Sequence, residues 1–203
     1  MNKQYKTAYS CCMARPRQFD RDEVLDAALG VFREHGYAGS SADMLAGAMQ
    51  IGKQSLYNAF GDKWALYCTT LERYSSAETA AHVAELKAGA SALTGIEMLL
   101  ARVVKEAALP CLGVGSVSEF GAEREGSEEL ANIRKVAGRQ LSTALVKAIG
   151  QAVADGDLSA ELDERHAAAF LLANVAAIRL AARSGAGNAE LHPLARLALR
   201  ALR

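Results

Sequence analysis

Four polar residues within one short stretch, Lys53, Gln54, Ser55 and Asn58, have side chains of the kinds that recognise nucleic-acid bases. Gln and Asn can each pair with adenine through two hydrogen bonds, and Lys can donate to guanine. If the stretch is helical, Lys53, Gln54 and Asn58 fall on one face, which leaves the opposite face for packing. A short helix with such a polar face suits the DNA major groove, so these residues predict a helix that reads DNA sequence.

A helix of this kind must be braced, and residues 42–49 can supply a second short helix just before it. Apolar residues in both segments are spaced so that the two helices bury one common face. Ala46 is small where the second helix has to cross closely, and residues 50–52 supply the break between the helices. The shared face consists of Leu45, Met49, Ile51, Leu56 and Phe60. This pattern predicts a helix-turn-helix, with an ordinary helical hairpin in a bundle as the alternative.

The wider pattern around these helices is more specific than their spacing alone. It comprises Leu45-Ala46, the run Ile51-Gly-Lys-Gln-Ser-Leu-Tyr-Asn-Ala-Phe60, Asp62-Lys63 and Leu66-Tyr67. These residues resemble the signature of the tetracycline-repressor (TetR) family over residues 15–67, and the remainder of the chain matches only in helical layout. The resemblance implies a transcriptional regulator, a repressor that a small-molecule effector releases from a palindromic operator in double-stranded DNA.

The resemblance also implies contacts outside the bases. Tyr57 and Lys63 would lie on DNA phosphates, Lys63 at the place of the family's phosphate-contacting lysine. Ser41 can cap the helix that follows it and also reach a phosphate, with capping alone as the alternative. Two residues depart from the family's pattern. Gln50 stands where such turns commonly carry Gly, so a left-handed backbone there would cost about 1–2 kcal/mol. Gly52 replaces the usual Ser or Thr N-cap, which concerns local stability more than DNA contact.

Charge is distributed unevenly along the chain. The 203 residues include 23 basic and 23 acidic ones, and a net charge of zero excludes a globally basic nucleic-acid binder. Residues 1–21, however, carry five basic residues against one acidic residue. Arg15 and Arg17 flank Pro16, which disfavours a helix, and a basic arm of this kind can follow phosphates or enter the minor groove. The alternative is a solvated tail, and residues 1–14 are expected to form a flexible extension.

The composition, 51% hydrophobic and 23% charged, is that of a chain able to bury a core. Its four cysteines, at positions 11, 12, 68 and 111, lack the spacing of a disulfide framework or a zinc site. The four histidines are scattered and the common catalytic motifs are absent, so neither a metal nor a cofactor is expected. No secretory signal is evident, and Asn174 and Arg179 interrupt the longest apolar run. A cytoplasmic protein without a membrane partner is therefore expected.

Apolar periodicity and capping residues predict further helices at residues 20–35, 63–88, 92–109, 130–154, 163–183 and 190–202. Asp20 and Asp62 are expected to cap two of them, and Gly36 to end the first. Pro110 should interrupt or kink the helix before it, residues 111–120 are weakly patterned, and residues 123–129 read as a charged turn. The prediction is an all-α fold. It has an extension at 1–14, a three-helix DNA-binding domain containing the helix-turn-helix at 15–62, and an effector-binding and dimerisation domain at 63–203.

The segment 163–183 has apolar residues at nearly every angle around its axis, and a helix that is apolar all round is buried on all sides. A second subunit is the simplest cover. We therefore expect a homodimer in which this helix and the last one pack against their two-fold mates, as in relatives with this layout. The expected interface residues are Leu172, Val175, Arg179, Leu194 and Leu197. The alternative is a helix that is central in its own domain.

Two glycines, Gly113 and Gly115, and the break at Pro110 leave room where a helical core would otherwise close, which predicts an effector pocket there. The expected apolar wall is Leu99, Val103, Cys111 and Phe120, and the expected polar contacts are Ser116, Glu119 and Asn174. Apolar or aromatic small molecules suit this wall better than phosphorylated ones. A fully packed core, with these polar groups bonded internally, is the alternative.

Two other classes of function are compatible with the sequence. One is a helical ligand-binding or scaffold protein that does not bind DNA, and a DNA-binding screen would identify it. The other is a small enzyme with Cys111 as its nucleophile. A lone cysteine in an apolar helical region is more often a small core residue, so no catalytic residue and no enzymatic activity are expected.

Overall fold

Helices make up the architecture. The computed structural model describes residues 19–121 and 127–203, with the backbone only for Ser127, and over these residues it contains nine α-helices and no β-strand. The predicted all-α fold is therefore confirmed. The helices are α1 (Arg21–Gly39), α2 (Ala42–Ala48), α3 (Lys53–Phe60), α4 (Lys63–Ala88), α5 (Ala92–Lys105), α6 (Leu112–Phe120), α7 (Ser127–Ala154), α8 (Glu164–Arg183) and α9 (Asn188–Arg200).

Side-chain caps fix where the N-terminal helices begin. The Asp20 carboxylate accepts from the backbone N–H of Asp22 at 2.7 Å, and Asp62 accepts from Ala65 at 2.8 Å, as predicted. The Ser41 hydroxyl accepts from the Met44 N–H at 3.2 Å. Each cap satisfies one of the N–H groups that the first turn of a helix leaves without a partner.

Two backbone positions in this region have positive φ. Gly36, with φ +69° and ψ −177°, breaks α1, and one further turn continues to Gly39. Gln50 has φ +53°, the left-handed conformation that its place in the turn predicted. Only glycine adopts this region without steric cost, so Gln50 sharpens the turn between α2 and α3 at the expense of local strain.

Helix α6 differs from the prediction, which left residues 111–120 without a defined element. Its apolar face is short but regular, because Leu112, Ser116 and Phe120 lie four residues apart and are all buried. Helix α5 ends at Lys105 rather than at residue 109, so Pro110 lies in the connection and kinks no helix. Helix α7 begins at Ser127, inside the predicted charged turn, and residues 123–126 of that turn lie outside the described part.

The buried side chains form two clusters, and α4 contributes to both. The first cluster joins α1, α2 and α3 to Leu66, Tyr67 and Leu71 of α4, and also includes Leu112 and Phe120 of α6. The second lies among α5, α7, α8, α9 and the end of α4. The boundary predicted between residues 62 and 63 therefore crosses a continuous core, and α4 and α6 connect the two clusters mechanically.

Helix α8 is, among the described residues, the one helix long and apolar enough to cross a membrane. The core helix of a globular protein has the same length and composition. One face of α8 packs into the second cluster through Ala168, Leu171 and Ile178, each nearly inaccessible to solvent. Its membrane-like composition is therefore weak grounds for a membrane span.

Candidate nucleic-acid interface and effector cavity

Helix α3 has one buried and one exposed face. Leu56 and Phe60 are buried against α2 and α4, whereas Tyr57 is 41% exposed. The residues that the sequence singled out as base-reading candidates, Lys53, Gln54, Ser55 and Asn58, are likewise exposed. The structure thus brings the predicted DNA-contacting side chains of this helix together on one solvent-facing surface.

Three of these side chains have partners within the chain. The Gln54 amide donates from Nε2 to Oδ1 of Asn58 at 3.0 Å. Lys53 Nζ lies 2.7 Å from Oδ1 of Asp43, and that hydrogen bond is the main reason its pKa is raised. Bidentate pairing with adenine uses the oxygen and the nitrogen of one amide, so this hydrogen bond must open before either side chain can pair in that way.

Arg21 holds the far end of α3 in place, a role that the sequence did not indicate. Its guanidinium stacks 4.6 Å from the centre of the Phe60 ring and donates to the carbonyl of Ala59 at 3.4 Å. Because this contact joins the first turn of α1 to the last turn of α3, it fixes the angle at which the polar face is presented.

Lys63 has an internal role that the resemblance did not imply. Its Nζ donates to the carbonyls of Tyr37 and Ser40, both at 2.9 Å, and lies 4.2 Å from the centre of the Tyr37 ring. An ammonium group has three donors, so one is left for a phosphate. Phosphate contact by Lys63, Tyr57 and Ser41 stays a prediction, and Arg15 and Arg17 lie outside the described residues.

The last turn of α1 contacts α6 at a junction between the two clusters, which we call the hinge. The Glu119 carboxylate accepts from the backbone N–H groups of Tyr37 at 2.9 Å and Ala38 at 2.6 Å, directly after the break at Gly36. Phe120 packs against the rings of Tyr37 and Trp64, with ring centres 5.5 Å and 5.2 Å away. The prediction that Glu119 and Phe120 line the effector pocket was therefore wrong, because both side chains face the DNA-binding unit.

Other side chains predicted to line the pocket also have partners elsewhere in the chain. Leu99 and Val103 are completely buried in the second cluster. Ser116 is completely buried, where its hydroxyl donates to the Gly113 carbonyl at 2.7 Å and accepts from Arg134 at 3.2 Å. The Asn174 amide donates to the carbonyl of Phe170 on its own helix. The α6 residues were misassigned because the sequence did not reveal α6 as a helix, and the register of a helix determines which of its residues face a cavity.

A cavity of about 330 Å³ does exist nearby, where α4, α6, α7 and α8 converge. Cys111, the one predicted pocket residue that lines it, accepts a hydrogen bond from the Tyr74 hydroxyl at 3.2 Å. Burial raises the pKa of Tyr74, so this hydroxyl keeps its proton. The other lining residues are Ser75, Glu78, Thr79, His82, Gly113, Val114, Val117, Arg134, Ala137, Gly138, Leu141, Leu172, Val175, Ala176 and Arg179.

A network of buried charges closes one side of this cavity. Glu78 pairs through one oxygen with Arg102 at 3.0 Å and through the other with Arg179 at 3.1 Å. Arg102 also pairs with Glu106 at 2.9 Å. Arg179 donates to the Glu106 carbonyl at 2.7 Å and is only 6% exposed. Its predicted place in a dimer interface was therefore wrong, because both ends of its guanidinium are engaged inside the chain.

His82 is the neutral member of this network. Burial, together with the positive charges of Arg102 and Arg179, lowers the pKa of His82 from 6.5 to about 4. Arg102 lies 3.0 Å from Nδ1, and because a guanidinium only donates, Nδ1 must accept and Nε2 carries the proton. The network therefore contains two carboxylates, two guanidiniums and a neutral imidazole at pH 7.

A second surface is apolar and exposed. It consists of Phe170 and Leu180 on α8 and Leu194 and Leu197 on α9, each 39–59% exposed. Leu194 and Leu197 are two of the predicted interface residues. Leu172 and Val175 line the cavity and pack partly against the second cluster, and their assignment to the dimer interface stays a prediction. Phe170 and Leu180 are the large apolar side chains that α8 exposes.

The two described thiols offer little to the enzyme alternative. Cys68 is buried, and burial first, then a hydrogen bond with Glu129, raises its pKa to about 12. The hydrogen bond that Cys111 makes comes from Tyr74, a donor and not a base. Within residues 19–121 and 127–203, no group of three or more His, Cys, Asp or Glu side chains is arranged to hold a metal ion.

Known proteins resemble this chain in both sequence and fold. The profile of "Bacterial regulatory proteins, tetR family" matches residues 24–67. The HTH-type transcriptional repressor ComR of Escherichia coli (strain K12) is 29% identical over 192 residues, which cover 92% of this chain and 90% of ComR. The uncharacterized HTH-type transcriptional regulator YezE of Bacillus subtilis (strain 168) is 30% identical over 154 residues, covering 73% of this chain and 78% of YezE.

A solved structure extends the likeness to three dimensions. A cysteine mutant of the TetR family transcriptional regulator CifR, in complex with a 26-base-pair operator DNA, superposes with a TM-score of 0.79 at 30% identity. The alignment covers 92% of this chain and 99% of the CifR chain. The similarity therefore spans both the helix-turn-helix and the C-terminal helices, and the chain belongs to the TetR family of bacterial regulatory proteins.

Proposed function

We propose that the protein is a homodimeric repressor that reads a palindromic operator with α3 and leaves it when a small effector fills the cavity. The observation that carries this proposal is the exposed polar face of α3, Lys53, Gln54 and Asn58, over a buried face that contains Leu56 and Phe60. The likeness to ComR, a repressor, and to CifR in complex with operator DNA supports it.

Dimerisation places two reading helices on one DNA. The exposed apolar face of α8 and α9 would pack against its two-fold mate, which removes Phe170, Leu180, Leu194 and Leu197 from water. The two copies of α3 must then reach half-sites one helical turn apart, about 34 Å. Two-fold symmetry of the protein therefore calls for a palindromic operator.

Release would run through α6. This helix lines the cavity with Gly113, Val114 and Val117 and, at its other end, holds the hinge through Glu119. A ligand that shifts α6 would move the Glu119 carboxylate that holds the last turn of α1, and would change the tilt of α4. Both movements would alter the spacing of the two reading helices. By linkage, DNA must weaken effector binding by the same factor by which the effector weakens DNA binding.

The competing classes make different predictions. A ligand-binding or scaffold protein without DNA contact would use the cavity but not the face of α3, and an enzyme would require Cys111 to react. We place the repressor in the cytoplasm, where the genome is accessible to it, and assign it no catalytic role. A thiol-reactivity profile of the native dimer would identify a nucleophilic Cys111.

Selection of genomic DNA fragments by the purified protein tests the proposal. We expect the recovered fragments to share a motif of two inverted half-sites with centres about one turn of DNA apart. Recovery without a common motif, or no recovery above background at low salt, would exclude a sequence-specific repressor. It would favour the scaffold class.

A further inference from the structure

The charges that face the cavity do not balance. Among the described residues Arg134, on the first turns of α7, makes one hydrogen bond, which it donates to the Ser116 hydroxyl at 3.2 Å. Within the same ranges no carboxylate lies within 4 Å of its guanidinium, although the residue lines the cavity and is partly buried. A guanidinium has five N–H donors, so most of those of Arg134 are available to a ligand.

The other charged side chains that line the cavity, and the ones paired with them, cancel. Glu78 and Glu106 offset Arg102 and Arg179, and His82 is neutral at pH 7. Arg134 therefore leaves the lining with one net positive charge. Partly desolvated charges interact more strongly than charges in bulk water, so this site favours a ligand with one negative charge.

The rest of the lining is mainly apolar. Val114 and Val117 of α6 face Leu141 of α7 and Leu172 and Val175 of α8. The volume of about 330 Å³ is at the small end of the range of ligand sites. A phosphate ester would bring a second negative charge and more acceptors than one guanidinium can satisfy, which makes it a poor match for these walls.

We propose that the effector is a small organic monoanion, a carboxylate with an apolar body. This inference rests on the proposed role of the cavity as the effector site. The carboxylate pairs with Arg134 through two parallel N–H···O bonds, the geometry that guanidinium and carboxylate share. The apolar body lies against Val117, Leu172 and Val175. Arg134 also donates to Ser116, so this pairing connects the ligand to α6, and α6 carries Glu119 at the hinge.

Matched pairs of ligands test the charge requirement. Acetate, hexanoate, benzoate and phenylacetate, each with its primary amide, are titrated into the full-length dimer by calorimetry and by thermal shift. Acid and amide have nearly the same shape, so charge is the main difference between them. We expect the best-bound acid to bind at least about tenfold more tightly than its amide, because hydrogen bonds to charged groups are the stronger ones.

Two substitutions on α7 locate the effect. Arg134→Gln should remove the preference for acid over amide, whereas Arg139→Gln, the same change at an exposed position of the same helix, should keep it. If Arg134→Gln does not fold, judged by circular dichroism, the comparison of acid and amide on the wild type decides alone. The proposal is overturned if no acid binds, if the amides bind equally well, or if a folded Arg134→Gln keeps the preference.

The effector role itself is tested separately by adding the same ligands to the complex with a selected operator. If the acids do not bind and a neutral compound binds in the cavity and releases DNA, the effector is not a monoanion. The proposed repressor function would then still hold. Acids that bind through Arg134 without releasing DNA would support the ligand class and overturn the effector role.

Discussion

At the scale of single residues, the side chains that would read DNA already have partners. Lys53 must leave Asp43, and Gln54 must release Asn58, before either can pair with a base. These pairs are solvent-exposed, and exposed pairs of this kind contribute little to stability. Breaking them therefore takes little free energy from DNA binding, while in the free protein they orient the side chains. Truncating Gln54 to Ala should accordingly lower discrimination at one base-pair position by about 1–3 kcal/mol.

His82 gives a prediction for the pH dependence of stability. Its pKa is about 4 in the folded chain against 6.5 as a free side chain, so the unfolded state binds a proton first as pH falls. The free energy of unfolding should therefore decrease between pH 6.5 and pH 4, by up to about 3 kcal/mol from this residue. Chemical denaturation at pH 7 and pH 4.5 measures the loss.

The matched variant for this measurement is His82→Asn, because its amide oxygen can accept from Arg102 as Nδ1 does but does not titrate. The variant should lose less stability than the wild type over the same pH interval. Carboxylates titrate in both proteins and cancel in the comparison. Equal losses in the two proteins would show that His82 is protonated in the folded state.

At the scale of helices, the turn between α2 and α3 contains a removable strain. Gln50 has φ +53° and an exposed side chain, so Gln50→Gly should raise the free energy of unfolding by about 1 kcal/mol. Gln50→Ala, which retains the Cβ atom, should leave it within about 0.5 kcal/mol of wild type. A thermal or chemical denaturation series compares the three proteins, and a glycine variant no more stable than the alanine variant would disprove the strain.

The hinge between α1 and α6 makes a second prediction at this scale. Glu119→Ala leaves the N–H groups of Tyr37 and Ala38 without their carboxylate and should lower the free energy of unfolding by about 1–3 kcal/mol. Glu72→Ala, at an exposed position of α4, is the control and should change it by less than about 0.5 kcal/mol. Similar losses in both variants would mean that the hinge bonds contribute nothing specific.

The helices with long, regular apolar faces could be predicted from sequence, and α6 could not. Capping residues and periodicity located α2, α3 and α4 because the signals there are local. Helix α6 carries two glycines in nine residues and is defined by what it packs against, Tyr37 on one side and Arg134 on the other. Tertiary contacts of this kind override propensity, and the residues of the predicted effector pocket were misassigned for the same reason.

At the scale of the whole molecule, we expect the apolar face of α8 and α9 to form the dimer interface. Leu180→Glu and Leu197→Glu would each place a charge in the dimer interface and should give monomers at micromolar concentration, measured by sedimentation velocity. Leu109→Glu is the control, because Leu109 is 55% exposed and lies on the α5–α6 connection, outside both α8 and α9. If both interface variants remain dimeric, a different surface joins the subunits.

Reading of operator DNA by α3 is tested most directly by anisotropy titrations of a selected operator and a scrambled duplex at one salt concentration. The double variant Gln54→Ala/Asn58→Ala should lose at least about tenfold of the wild-type preference for the operator while remaining a folded dimer. The matched double variant Gln140→Ala/Asn132→Ala, at exposed positions of α7, should keep the full preference. If the α3 variant discriminates as well as the wild type, α3 is not the reading helix.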